Sequence, residues 1–146
     1  MGLIAHLGSG PIALDTACFI YFLEQHPDYS GLLRPLFAAA DREEIQLVTS
    51  AVTLLEVLVV PYRAGNTALA ARYEALLTRS RGLTMVAVDR THMRMAAQLR
   101  ARTSVRTPDA LQLSAALISG CSTFVTNDRR LPTWPTLRVV QLSDVV

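Results

Sequence analysis

Lysine is absent from this sequence: all fourteen basic residues are arginine. That absence excludes whole enzyme classes. A P-loop nucleotidase needs the lysine of its phosphate loop, and a Schiff-base enzyme needs a lysine nucleophile. Cysteine is scarce. Cys18 and Cys121 stand alone, outside any CxxC or Cys/His cluster, and are expected to be reduced core thiols. The histidines His6, His26 and His92 are isolated from one another, which argues against zinc. No apolar run reaches the ~18 residues of a membrane span. The start, Met1 to Gly10, has neither the basic flank nor the apolar segment of an export signal. Gly2 suggests myristoylation, but position 6 is His6 rather than Ser or Thr, so the motif fails. A cytoplasmic protein is expected.

What is present suits one domain over residues 1–146, with 51% hydrophobic and 18% charged residues. Strand and helix patterns alternate throughout. Short apolar runs at Pro11–Leu14, Ile45–Val48, Leu83–Val88, Ser122–Val125 and Leu137–Leu142 read as strands. Between them lie helical patterns. The first is Ala17 to Gln25, with Thr16 as cap and Pro27 as stop. The second carries Leu32, Leu33, Leu36, Phe37 and Ala40 on one face, and starts late or kinks at Pro35. The third is capped by Thr49 or Ser50 and closed at Val60 by Pro61. The fourth opens at Gly65-Asn66 with Leu69, Tyr73, Leu76 and Leu77 inward. The fifth runs from Arg90 to Arg102 under an Asp89 cap. The sixth is a buried helix opened by Thr107 and Pro108 and ended by Gly120. The strands are apolar rather than alternating, as in a parallel sheet covered on both faces. The expected fold is a three-layer α/β/α sandwich with a central five-stranded parallel sheet.

Four of the twelve acidic residues do not sit where acids usually sit. Asp15 follows the first strand and Asp128 follows the fourth, on the edge where open α/β sheets bind ligands. Asp109 stands in the first turn of the buried helix, where the helix dipole favours a carboxylate. Glu56 lies in an apolar stretch, Leu54 to Val60, where a charge needs compensation. An arginine partner would explain Glu56 alone, and capping or turn roles would explain the other three singly. Asp89 reads as a cap. Asp28, Glu24, Glu74 and Asp144 read as solvated. The four together suit hard divalent cations, which take oxygen ligands and relieve like-charge repulsion.

The net charge is +2, and fourteen arginines against the eight other acids leave +6 outside that constellation. A basic remainder suits a polyanion, and Arg129 and Arg130 are candidates to touch its phosphates.

At these acids the chain resembles the PIN-domain ribonucleases, particularly the VapC-like toxins of type II toxin–antitoxin pairs. The matching segments are Ala13-Leu14-Asp15-Thr16, Thr53-Leu54-Leu55-Glu56, Pro108-Asp109-Ala110-Leu111-Gln112 and Thr126-Asn127-Asp128-Arg129-Arg130-Leu131. The likeness runs from about Pro11 to Leu142, with Pro35 a departure that touches no ligand. The resemblance implies strand order 3-2-1-4-5. It implies Mg2+, or Mn2+, held by Asp15, Glu56, Asp109 and Asp128, with Thr16, Thr126 and Asn127 in support. It also implies cleavage of RNA, a homodimer, and a small antitoxin that covers the site. Metal-activated water would attack phosphorus in line, leaving a 5′-phosphate and a 3′-hydroxyl.

Other readings fare worse. A haloacid-dehalogenase-like phosphatase needs an acid two residues after the first, where Ala17 stands, and a lysine. A receiver domain needs the same lysine. A flavodoxin-like binder needs a Ser/Thr/Gly loop where Asp15-Thr16-Ala17-Cys18-Phe19 stands. The remaining rivals are a PIN-fold module that binds RNA or protein without cutting, and a nuclease acting on DNA.

Overall fold

The computed structural model describes residues 2–146, so Met1 lies outside the described residues. The strands are β1 (Ile12–Leu14), β2 (Leu47–Ser50), β3 (Leu83–Val86), β4 (Thr123–Thr126) and β5 (Arg138–Gln141). They form one sheet in the order β3-β2-β1-β4-β5, with every pair parallel. The helices are α1 (Thr16–Leu23), α2 (Ser30–Asp41), α3 (Ala51–Arg63), α4 (Thr67–Arg79), α5 (Arg90–Arg102) and α6 (Thr107–Ile118). Among the described residues no helix is long and apolar enough to cross a membrane.

Side chains alternate across the sheet, as the strand pleat requires. Ile12, Leu14, Leu47 and Val125 face one core with Phe19, Leu33, Leu36 and Leu77. Ala13, Val48 and Phe124 face the other, with Leu99, Ala110 and Leu113. Thus α1 to α4 cover one face, and α5 and α6 cover the other. The chain builds β2 and β3 outward on one side of β1, then returns to build β4 and β5 on the other. The switch falls between β1 and β4, and both strands deliver an aspartate at their carboxyl ends.

Several boundaries differ from the sequence expectation, each for a local reason. The second strand lies two residues later, because Thr49 and Ser50 are buried strand residues rather than loop. Thr49 tolerates this by donating its hydroxyl to the Leu14 carbonyl at 3.0 Å. Asp15, not Thr16, caps α1 by accepting from the Cys18 N–H. Arg106 occupies the cap position of α6, and the Thr107 hydroxyl instead accepts from Arg100. Pro61 does not end its helix, and Pro35 does not delay the start of its own. Helix α2 starts at Ser30 and runs through Pro35, and α3 continues through a buried Pro61 to Arg63. Each forgoes one backbone bond, and tertiary packing outweighs that loss. Glu24 is not merely solvated, since Tyr73 donates its phenol to it. Asp144 pairs with Arg129 on the surface. The Asp89 cap on α5 and the Ser50 cap on α3 are as expected. Both cysteines are buried and free.

Candidate active site

The sheet edge at the carboxyl ends of β1 and β4 positions the first two acids. Asp15 begins α1 immediately after β1, with Oδ1 accepting from the Cys18 N–H and Oδ2 accepting from the Thr126 hydroxyl. That hydroxyl, at the end of β4, also accepts from the Asp128 N–H at 3.0 Å. One threonine therefore ties together the turns that carry Asp15 and Asp128. Asn127 holds this loop from outside, its Oδ1 accepting from the Ser143 N–H at 3.0 Å.

Glu56 reaches the site from α3. Its surroundings differ from the sequence reading: Leu55, Val59, Val60 and Tyr62 are exposed, so the helix carries an outward apolar strip. Glu56 has no arginine partner in the described residues. Its Oε1 accepts from the Thr16 hydroxyl at 2.6 Å. Asp109 enters from the first turn of α6, partly buried.

The ionisation of these groups reflects how they face one another. Burial pushes the Asp15 carboxyl up to about 6, opposed by its hydrogen bonds from Thr126 and Cys18, with the Asp109 charge adding to the rise. Asp109 is raised by burial, then by the negative charges of Asp128 and Glu56, with Arg130 and Arg106 opposing. Asp128 is held low, chiefly by Arg130, whose Nε lies 3.0 Å from Oδ1. The four carboxylates thus share one electrostatic neighbourhood. They are not closed into a ready ligand set: among the described residues, no three His, Cys, Asp or Glu side chains stand grouped to hold an ion. Asp15, Glu56 and Asp128 each spend oxygens on hydroxyl, backbone or guanidinium donors instead. In kind, an all-oxygen anionic donor set with like-charge strain fits a hard divalent cation.

An open cleft of about 390 Å3 runs along Asp15, Ala17, Tyr21, Asn127, Asp128 and Arg130. A neighbouring one of about 280 Å3 is lined by Ser104, Arg106, Asp109 and Arg130. Arg130 borders both. Arg129 does not join them, because it is turned to Ser143 and Asp144. A more apolar cavity of about 460 Å3, lined by Phe22, Phe37, Leu47, Leu76 and Leu83, lies at the opposite sheet end, where Asp41 is the one carboxylate in its lining and stands with Arg34 and Arg81.

The sequence reading assigned no role to Gln112 or Thr53 and read Thr49 only as a possible helix cap; the three form a buried polar cluster behind Glu56. The signal that could have found them was a glutamine inside an otherwise apolar helix, one turn after Asp109.

The family model described as PIN domain matches residues 12–134. Comparison with curated proteins finds no match. Among solved structures, the chain is similar to VapBC2 from Rickettsia felis bound to a DNA fragment from its promoter. The TM-score there is 0.69 at 17% identity, covering 90% of this chain and 98% of that one. DNA-bound VapBC from Salmonella typhimurium gives 0.65 at 21%, covering 92% and 99%. VapC20 from Mycobacterium tuberculosis, a sarcin–ricin loop cleaving toxin, gives 0.62 at 16%, covering 77% and 86%.

Proposed function

The chain belongs to the PIN-domain family, and from that premise we propose that it is a divalent-metal-dependent endoribonuclease and the toxin of a toxin–antitoxin pair. The observation that carries the proposal is the arrangement at the carboxyl edge of the sheet: Thr126 donates to Asp15 and accepts from the Asp128 N–H, and Arg130 borders both the cleft of Asp15 and Asp128 and the neighbouring cleft of Asp109. Asp15, Glu56, Asp109 and Asp128 would hold Mg2+ or Mn2+. When bound, such an ion supplies Lewis acidity at the phosphate and an activated water. The chain's own groups do the rest. Thr126 keeps Asp15 and Asp128 in register. Arg130, between the two clefts, can leave Asp128 and meet a substrate phosphate, gaining a bidentate partner of the same charge. The solved VapBC complexes support a small antitoxin as partner, and the apolar strip of Leu55, Val59 and Tyr62 on α3 supports a homodimer.

The test is cleavage of an end-labelled RNA, and of the matching DNA, across a Mg2+ titration. RNA products are expected to appear with metal and vanish with chelator. Retention without products supports a binding module, and preferential DNA cutting supports a nuclease acting on DNA.

Tyr21 adds a prediction. Its ring borders the cleft beside Asp15 and packs against His26 and Tyr29, with centroids 4.8 and 4.9 Å away. An unpaired base stacking there contributes about 1–3 kcal/mol. Tyr21→Ala is expected to raise KM for a single-stranded substrate about tenfold with kcat little changed, while Tyr21→Phe stays near the parent. Steady-state kinetics on the three proteins check it, and equal KM values contradict it.

A further inference from the structure

We propose that Gln112 is a positioning residue for the Glu56 carboxylate, acting through the Thr16 hydroxyl; this rests on the functional reading above. Gln112 lies in α6 and is only 4% exposed. Its Nε2 donates to Thr53 Oγ1 at 2.7 Å and to Thr16 Oγ1 at 3.2 Å. Each hydroxyl has one proton to give. Thr16 gives its proton to Glu56 Oε1 at 2.6 Å. Thr49 gives its proton to the Leu14 carbonyl at 3.0 Å, so the 2.8 Å contact between Thr49 and Thr53 runs from Thr53 to Thr49.

Both protons facing the glutamine are therefore spent elsewhere. The amide must present its NH2 group to them, because a carbonyl oxygen there would meet two acceptors. The orientation leaves Gln112 Oε1 buried with no partner. A buried unmatched acceptor costs on the order of 1–3 kcal/mol. A side chain kept at that cost is explained by what its donors do. They occupy one acceptor site on each of Thr16 and Thr53, and the Thr16 hydroxyl, 2.6 Å from Glu56 Oε1 against 3.4 Å from Thr53 Oγ1, gives its proton to the nearer and charged acceptor. Glu56 is thereby anchored by Oε1, and among the described residues no donor reaches Oε2, which is left for an ion or its water.

The test uses Gln112→Met, which keeps the volume and removes both donors, together with Thr16→Val and the double variant. Mn2+ binding is read by the paramagnetic signal of free ion, cleavage by kcat and KM, and folding by melting in chelator. Loss of an outer-shell partner weakens metal binding by about tenfold or more. Q112M is expected to raise the Mn2+ Kd about tenfold and lower kcat similarly, with KM for RNA unchanged. If the effect passes through Thr16, T16V and the double variant lose the same amount rather than the product of two losses. Parent-like Mn2+ affinity in a folded Q112M, or multiplicative losses in the double variant, overturns the inference and leaves the functional reading standing. A parent that binds no Mn2+ overturns both. Should Q112M not fold, T16V decides: parent-like Mn2+ affinity there overturns the inference, because the proton at issue has been removed.

Discussion

Asp15→Asn is expected to abolish RNA cleavage, lowering kcat by about a thousandfold or more, and to leave a folded protein that is more heat-resistant above pH 6. The first effect follows from the proposed role of Asp15 as a metal ligand, whose charge asparagine removes; three factors of ten correspond to about 4 kcal/mol of transition-state stabilisation. The second follows from burial. Asp15 is raised from 3.8 to about 6 in the folded protein, so folding favours its protonated form. A raised carboxyl contributes stability that is full below the unfolded value and is lost as pH climbs through the folded one. In chelator, the parent should therefore lose stability between about pH 4 and pH 6.5, with D15N losing less across that interval because only the raised Asp109 carboxyl remains. A rise of that size corresponds to about 3 kcal/mol. Asparagine gives back about 1 kcal/mol of this by weakening the Thr126 bond. Melting curves in chelator across that pH range check the sign. A variant that cuts RNA like the parent removes Asp15 from the site, and one that melts lower above pH 6 contradicts the role assigned to its burial.

The largest expected effect on stability is at Gly82, far from the acids. Its φ is +69°, and an added Cβ would lie 2.2 Å from the Ala40 carbonyl oxygen, a backbone atom at the end of α2. The Gly82 carbonyl meanwhile accepts from the Leu47 N–H at the start of β2, so the turn has little room to move away. Left-handed strain adds about 1–2 kcal/mol and overpacking about 1–3 kcal/mol. Gly82→Ala is expected to cost about 4 kcal/mol, a fall in Tm of roughly 10 °C. Gly65 is the control: its φ is +66°, but an added Cβ meets nothing within 4 Å. Gly65→Ala should cost about 1 kcal/mol. Urea unfolding followed by far-ultraviolet circular dichroism separates the two. Equal losses would mean that φ alone matters and the Ala40 contact does not.

The alternation of strand and helix was legible because parallel strands buried on both faces leave unbroken apolar runs, and the acids stood out against them. Asp15, Asp109 and Asp128 could be placed from chain position alone, since strand ends and a helix start define one edge of the sheet. The polar interior was less legible. Thr49 and Ser50 read as caps and Thr53 as an ordinary helix residue, yet all three are buried because backbone and side-chain partners satisfy them. A hydroxyl signals burial only through its partners, and those come from distant segments. Pro61 failed as a stop for a related reason: packing of its ring outweighed one lost backbone bond. The strip of Leu55, Val59 and Val60 misled in the other direction, because apolar composition does not tell a core face from an exposed one.

The most direct measurement is the anomalous signal from crystals soaked in Mn2+. A peak is expected between Asp15, Asp109 and Asp128, with Glu56 ligating directly or through a water, and with Arg130 released from Asp128. Saturating Mn2+ that yields no peak there, while those carboxylates keep their present hydrogen bonds, would contradict a shared metal site.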